Sequence, residues 1–249
     1  MSTRNDRIFA GIDIDKMVGL EIGPLDKPLV GRDGRRQIFY ADYADRDFLM
    51  AQSASDPNVN VNNIPHIDYI IKSPMMDDLG RKFDYIVASH VAEHVPDILG
   101  WLHKLANWLT PSGIISLATP DYRYCFDRLR VASKISDVIE AFLENRQRPN
   151  PASVYDGFRN AIRFEAAFAW ARDCEVGSVD YYYTEAQALS LAKRSLRDYV
   201  DCHCWVWTAD SFRSAMAELR RLGLTSLNLI ECHGPYQNEA EFYIKLQAQ

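Results

Sequence analysis

The 249-residue sequence lacks most of the features that would settle a function at once. No apolar run exceeds strand length, so a membrane-spanning helix is not expected. The opening residues, MSTRNDRIFAG, lack the apolar core of a secretory leader, which points to a cytoplasmic protein. Basic charge is not in excess. Lys and Arg number 28 against 34 Asp and Glu, a net charge of -6, which disfavours general nucleic-acid binding. The five cysteines are odd in number and contain no C-x-x-C pair, so a disulfide framework is not expected. Cys202-His203-Cys204 and Cys232-His233 lie in or beside apolar, strand-like sequence and read as core thiols rather than metal ligands. There is no P-loop and no G-x-G-x-x-G, which argues against nucleotide triphosphates and NAD.

What is present is a rhythm. Residues 17–23, 36–42, 66–73, 83–89 and 114–120 read as strands. PDILGWLHKLANWL (96–109) reads as a helix, with Pro96 in its first turn, Ile98, Leu102, Leu105 and Leu109 at helical spacing, and TPSG (110–113) ending it. TADSFRSAMAELRRLGL (208–224) predicts an amphipathic helix that Thr208 or Asp210 can cap and Gly223 can stop. Strands over 226–232 and 240–247, joined by a short turn, predict an antiparallel hairpin. The fold class is α/β: a Rossmann-like, doubly wound, mostly parallel seven-stranded sheet with an antiparallel C-terminal hairpin. The chain reads as one domain, 1–249. A mainly helical insertion follows the fifth strand over 121–207, with helices expected at 135–148 and 184–200 and a break at RPNPAS (148–153). Connections that long are usually functional, and over the carboxyl ends of the strands this one would form an acceptor-side cap.

Two weak signals occur in the order a nucleoside cofactor needs. GLEIGPLDKP (19–28) runs a strand into a turn at Gly23, where a Cβ would block close backbone approach. Asp42 ends the next strand, where a carboxylate can accept hydrogen bonds from ribose hydroxyls. With GLEIGP, YAD, FDYIVASHVAEHVPD and LTPSGIISLATPD in sequence, the chain resembles class I S-adenosylmethionine-dependent methyltransferases of the small-molecule type. LATPDYRYCFDRLR and DCHCWVWTADSF are similar to a bacterial subgroup associated with polysaccharide genes. The resemblance implies S-adenosylmethionine as cofactor. Glu21, Gly23 and Pro24 would stand toward its methionine end, Asp42 at its ribose, Ile71 to Ser73 around its adenine, and Ser89 and His90 along its inner side. Where the family's loop carries three glycines this one reads Gly23-Pro24-Leu25-Asp26-Lys27. The expected activity is methylation of a small molecule or glycan precursor, at oxygen. A non-catalytic methyltransferase-fold scaffold is the alternative, and a homodimer is left open.

His90, Glu93 and His94 spell H-x-x-E-H, a zinc-peptidase signature. Zinc chemistry there needs both histidines on one helix and a third ligand. Here the pattern leaves a strand, and spacing nominates no third ligand. A zinc hydrolase is therefore the remote alternative, and no metal is expected. His94 and His90 are instead candidate bases for a hydroxyl acceptor. Tyr122 and Arg123, after the fifth strand, can face the acceptor, with Arg123 clamping an anionic group or pairing with a nearby acid. His203 reads as a structural histidine. Tyr181 to Tyr183 and the Trp205/Trp207 pair could stack on a ring, although aromatics at strand spacing are more often core.

Overall fold

The computed structural model describes residues 2–71, 78–164, 169–170 and 179–248. Seven strands form one sheet: β1 (Gly19–Ile22), β2 (Ile38–Asp42), β3 (Tyr69–Ile70), β4 (Phe83–Ser89), β5 (Leu109–Pro120), β6 (Asn228–His233) and β7 (Glu241–Gln247). Their order is β3-β2-β1-β4-β5-β7-β6. The pairs among β1 to β5 are parallel, and β7 runs antiparallel to both β5 and β6. The predicted sheet and its C-terminal hairpin are therefore present. Several boundaries shift by a few residues, and the helices expected at 135–148 and 184–200 end at Leu143 and Arg194. The third strand pairs only over Tyr69–Ile70. TPSG lies within β5, where the register jumps from Phe83↔Leu109 to Tyr85↔Ile114 and the extra residues bulge out.

Seven helices are described: α1 (Arg4–Ile8), α2 (Arg46–Ser53), α3 (Ile98–Trp108), α4 (Ile135–Leu143), α5 (Pro151–Asn160), α6 (Glu185–Arg194) and α7 (Ala209–Arg221). Asp97 caps α3 through the Gly100 amide at 2.9 Å, so Pro96 precedes the helix rather than opening it. Thr208 caps α7 as expected, accepting from the Ser211 amide. The stretch RPNPAS, expected to break structure, instead starts α5. Asn150 caps it and Pro151 takes the first turn, where a missing N–H costs nothing. α1 and α2 were not anticipated, although Thr3 and Asp45 cap them by the same chemistry.

Alternation along the strands divides the core between the two sheet faces. Leu20, Phe83, Ile86, Leu117, Phe242 and Ile244 pack with α3 and α7 residues such as Leu102, Leu105, Phe212 and Met216. Ile38, Tyr40, Tyr85, Val87 and Tyr243 pack with Ile8 and Leu49 from α1 and α2. Gly19 must be small, because an added Cβ would stand 2.0 Å from the Tyr85 ring. The insertion leaves and returns at neighbouring points, where Asp121 and Trp207 form a parallel bridge. Among the described residues no helix is long and apolar enough to cross a membrane.

Candidate active site

The strand order reverses between β1 and β4. Open α/β sheets bind ligands outside the carboxyl ends of the strands at such a switch point. At the end of β1, Gly23 has φ +68°, and an added Cβ would meet Val91 Cγ2 at 2.7 Å. The loops after β1 and β4 therefore touch across a glycine, a cradle that a side chain would fill. Glu21 is engaged by the loop that follows it. Its carboxylate accepts from the Leu29 amide at 2.7 Å and the Val30 amide at 3.1 Å, and so pins the loop containing Gly23 and Pro24. Burial pushes its pKa up to about 7 in spite of those bonds.

Asp42 is buried at the end of β2. It accepts one hydrogen bond, from the Tyr43 amide at 2.8 Å, and burial raises its pKa to about 6. An acceptor of this kind, with capacity to spare, fits a ribose diol. Ile71 is held beside it, its amide donating to the Asp42 carbonyl at 2.7 Å. Ser73 lies outside the described residues. Gly23, Asp42 and Ile71 thus stand at the carboxyl ends of the neighbouring strands β1, β2 and β3.

His90 leaves β4 with φ +55°. Its Nε2 lies 3.0 Å from Glu241 and its Nδ1 3.4 Å from Glu93. Burial acts to lower its pKa, but the two carboxylates outweigh that and raise it to about 9. An imidazolium has no lone pair to take a proton, so at neutral pH His90 supplies charge and hydrogen bonds, not the basicity predicted for it. Glu241 also binds Arg4 bidentately, at 2.5 and 2.9 Å, and accepts from the Tyr243 hydroxyl at 2.8 Å. Burial works against its charge, yet His90 and Arg4 hold its pKa down at about 2. Arg4 reaches on to Ser89 Oγ at 2.6 Å. Sequence reasoning missed Arg4 and Glu241, which are 237 positions apart.

His94 stands in a 3₁₀ turn, Ala92–His94, not on an α-helix shared with His90. The zinc-peptidase geometry is therefore absent. His94 instead meets His203, with ring centroids 4.7 Å apart and planes perpendicular. Two backbone bonds enforce this meeting, because the Cys204 and Trp205 amides both donate to the Glu93 carbonyl, at 2.7 and 3.3 Å. Each ring has a carboxylate on Nδ1: Asp201 at 3.1 Å for His94 and Asp127 at 2.5 Å for His203. Burial would lower the pKa of His94, and Asp201 more than offsets it, so the net shift is upward. Glu93 is 1% exposed, and its Oε2 accepts from Thr119 at 3.2 Å.

Arg123 forms a bidentate pair with the fully buried Asp121, at 2.8 and 2.7 Å, which ties it to its own turn. Tyr122, in that turn, is joined to the Trp207 carbonyl through its amide at 3.2 Å. Cys202, Cys204 and Cys232 are buried free thiols, as read, and Cys174 lies outside the described residues. Trp205 and Trp207 are core, whereas Tyr181, Tyr182 and Tyr183 are exposed and line a cavity of ≈ 280 Å³ with Arg159.

The methyltransferase-domain family model matches residues 15–219. The chain belongs to this family of S-adenosylmethionine-dependent methyltransferases. No curated protein matches it in sequence. Among solved structures, one from Rhodobacter sphaeroides described as a Zn-dependent alcohol dehydrogenase has 13% identity and a TM-score of 0.53, covering 98% of this chain and 89% of that one. An S-adenosylmethionine-dependent methyltransferase from Clostridium acetobutylicum has 10% identity and a TM-score of 0.49, covering 98% and 90%. The N-methyltransferase NodS from Bradyrhizobium japonicum has 10% identity and a TM-score of 0.44, covering 99% and 93%. At these identities the likeness concerns the fold alone.

Proposed function

We propose that this methyltransferase transfers the methyl group of S-adenosylmethionine to a hydroxyl oxygen of a small molecule or glycan precursor, in the cytoplasm and in polysaccharide biosynthesis. The observation that carries this reading is the Glu93/His94/His203 cluster just beyond β4, beside the loop that touches Gly23. A hydroxyl is a weak nucleophile until its proton is displaced, and oriented imidazole and carboxylate groups supply what that step needs. Gly23 lets the cofactor approach the protein backbone, and Asp42 accepts hydrogen bonds from its ribose hydroxyls. His90, flanked by Glu93 and Glu241, holds positive charge beside the reacting groups. The insertion 121–207 serves as the acceptor-side cap, because it delivers His203 to the cluster. Exposed Tyr181 to Tyr183 offer aromatic faces to a saccharide.

The test begins with calorimetry of S-adenosylmethionine and S-adenosylhomocysteine. Binding of both, followed by methyl transfer to sugar hydroxyl acceptors in a screen, is the expected result. No binding of either cofactor form at millimolar concentration would leave the non-catalytic scaffold as the better reading. Activity confined to amine acceptors would sink the oxygen assignment.

A further inference from the structure

We propose that Glu93, His94 and His203 form a binding site for one divalent transition-metal cation. A carboxylate oxygen and one donor nitrogen from each imidazole lie within 4.8 Å of one another. Bonds of about 2.1 Å in tetrahedral array would set such donors roughly 3.4 Å apart, so modest side-chain rotations close the set. Three further observations favour a ligand over simple packing. Glu93 Oε1 is buried and has no hydrogen-bond partner, although His90 Nδ1 stands 3.4 Å away without the alignment of a bond. The His90 imidazolium offsets the charge, but the hydrogen-bonding capacity of this buried oxygen is unfilled and open to a ligand. Both histidines have Nδ1 engaged by a carboxylate, which leaves Nε2 as the nitrogen with a lone pair. That is the arrangement by which outer carboxylates orient metal-binding histidines. The outer shell is itself anchored, because Asp127 is fixed by Arg130 at 2.9 Å, and Arg130 also donates to the His203 carbonyl at 2.9 Å.

Two imidazoles and one carboxylate suit zinc, manganese, cobalt or ferrous iron, and suit magnesium or calcium poorly. Three protein ligands leave a position open for an oxygen donor. The catalytic use of that position rests on the methyl-transfer reading; the cation site itself does not. An acceptor hydroxyl bound there would release its proton to solvent and keep its electron pair. The oxygen would then form the new O–C bond while the S–C bond of S-adenosylmethionine breaks. The pair from that bond returns to sulfur, giving S-adenosylhomocysteine.

The test uses the full chain after treatment with chelator. Calorimetry with zinc chloride should give one site per chain, and magnesium chloride should give none. His203→Gln and Glu93→Gln should each weaken zinc binding about tenfold or more. A Cys202→Ser/Cys204→Ser variant should bind as the parent does. Should a ligand variant fail to fold by circular dichroism, the cobalt(II) spectrum of the parent decides. Visible d–d bands without a thiolate charge-transfer band support the site, and a strong thiolate band overturns it. No saturable zinc binding at millimolar concentration overturns it too, as does undiminished binding in both ligand variants. Titration with S-adenosylhomocysteine is a separate measurement. A chain that binds the cofactor but no zinc loses only this site, and one that binds zinc but no cofactor loses only the methyl-transfer reading.

Discussion

A buried carboxylate with a single backbone donor is costly to ionise, and Asp42 shows what that implies for one residue. Its folded pKa of about 6 lies above the ordinary 3.8, so the folded state holds the proton more tightly than the unfolded chain. The destabilisation is absent below pH 3.8, grows as pH rises through 6, and is constant above. At about 1.4 kcal/mol per pH unit it reaches ~2–3 kcal/mol. Asp42→Asn should therefore raise the melting temperature at pH 7.5 and leave it unchanged near pH 3.5, while weakening S-adenosylhomocysteine binding about tenfold or more. Equal melting temperatures at pH 7.5 would contradict the burial argument, and unchanged affinity would contradict the ribose role. His90 and Glu241 behave in the opposite sense. The His90 contribution is complete below pH 6.5 and is lost as pH rises through about 9. That of Glu241 is complete above pH 4.5 and is lost as pH falls through about 2. Thermal melts of the parent and His90→Gln across pH should differ most between 4.5 and 6.5 and converge near pH 10. A gap independent of pH would show that the ion pair contributes nothing.

At the scale of elements, the loop leaving β1 is held by two devices that serve one end. Glu21 ties its far side to the strand, and Gly23 lets its near side pass Val91. Gly23→Ala adds left-handed strain of about 1–2 kcal/mol and a contact that cannot be accommodated without displacement. The variant should melt lower and bind S-adenosylhomocysteine more weakly. Val91→Ala in the same chain should recover the steric share alone, because the φ of +68° remains. Full recovery would show that the backbone conformation is not needed. The elements also show what local patterning conveys. FDYIVAS marks β4 to the residue, because a central strand buried on both faces carries an apolar run, here Tyr85 to Ala88. The cap at Asn150-Pro151 was equally visible, but two prolines in RPNPAS read more readily as a break.

Across the whole molecule, one guanidinium gathers the insertion. Arg130 binds Asp127 near its start, Asp156 on α5 at 2.7 Å, and the His203 carbonyl near its end. Its side chain is 3% exposed and that of Asp127 is 1% exposed. Arg130→Met leaves the buried Asp127 with His203 as its remaining partner and frees the Asp156 and His203 carbonyl contacts, a cost of about 2–4 kcal/mol. Urea denaturation should show that loss, and limited proteolysis should cut first within 121–207. Asp127→Asn in the Arg130→Met chain should restore much of the stability. If the single variant proves as stable as the parent, the insertion is not held through this centre.

Sequence alone determined the alternation of strands and helices, the antiparallel C-terminal pair and the acid at the end of β2, because each is written in local periodicity or in the character of a strand end. The composition of the site belonged to the tertiary structure. His203 is 109 positions from His94, and Glu241 is 151 from His90. Nothing in a linear pattern encodes that proximity; it arises when the sheet sets β7 beside β5 and when the Cys204 and Trp205 amides find the Glu93 carbonyl. The two histidines legible as H-x-x-E-H face different partners in the fold. A left-handed backbone at His90 turns that ring toward Glu241, and the partner that His94 meets comes from the far end of the insertion.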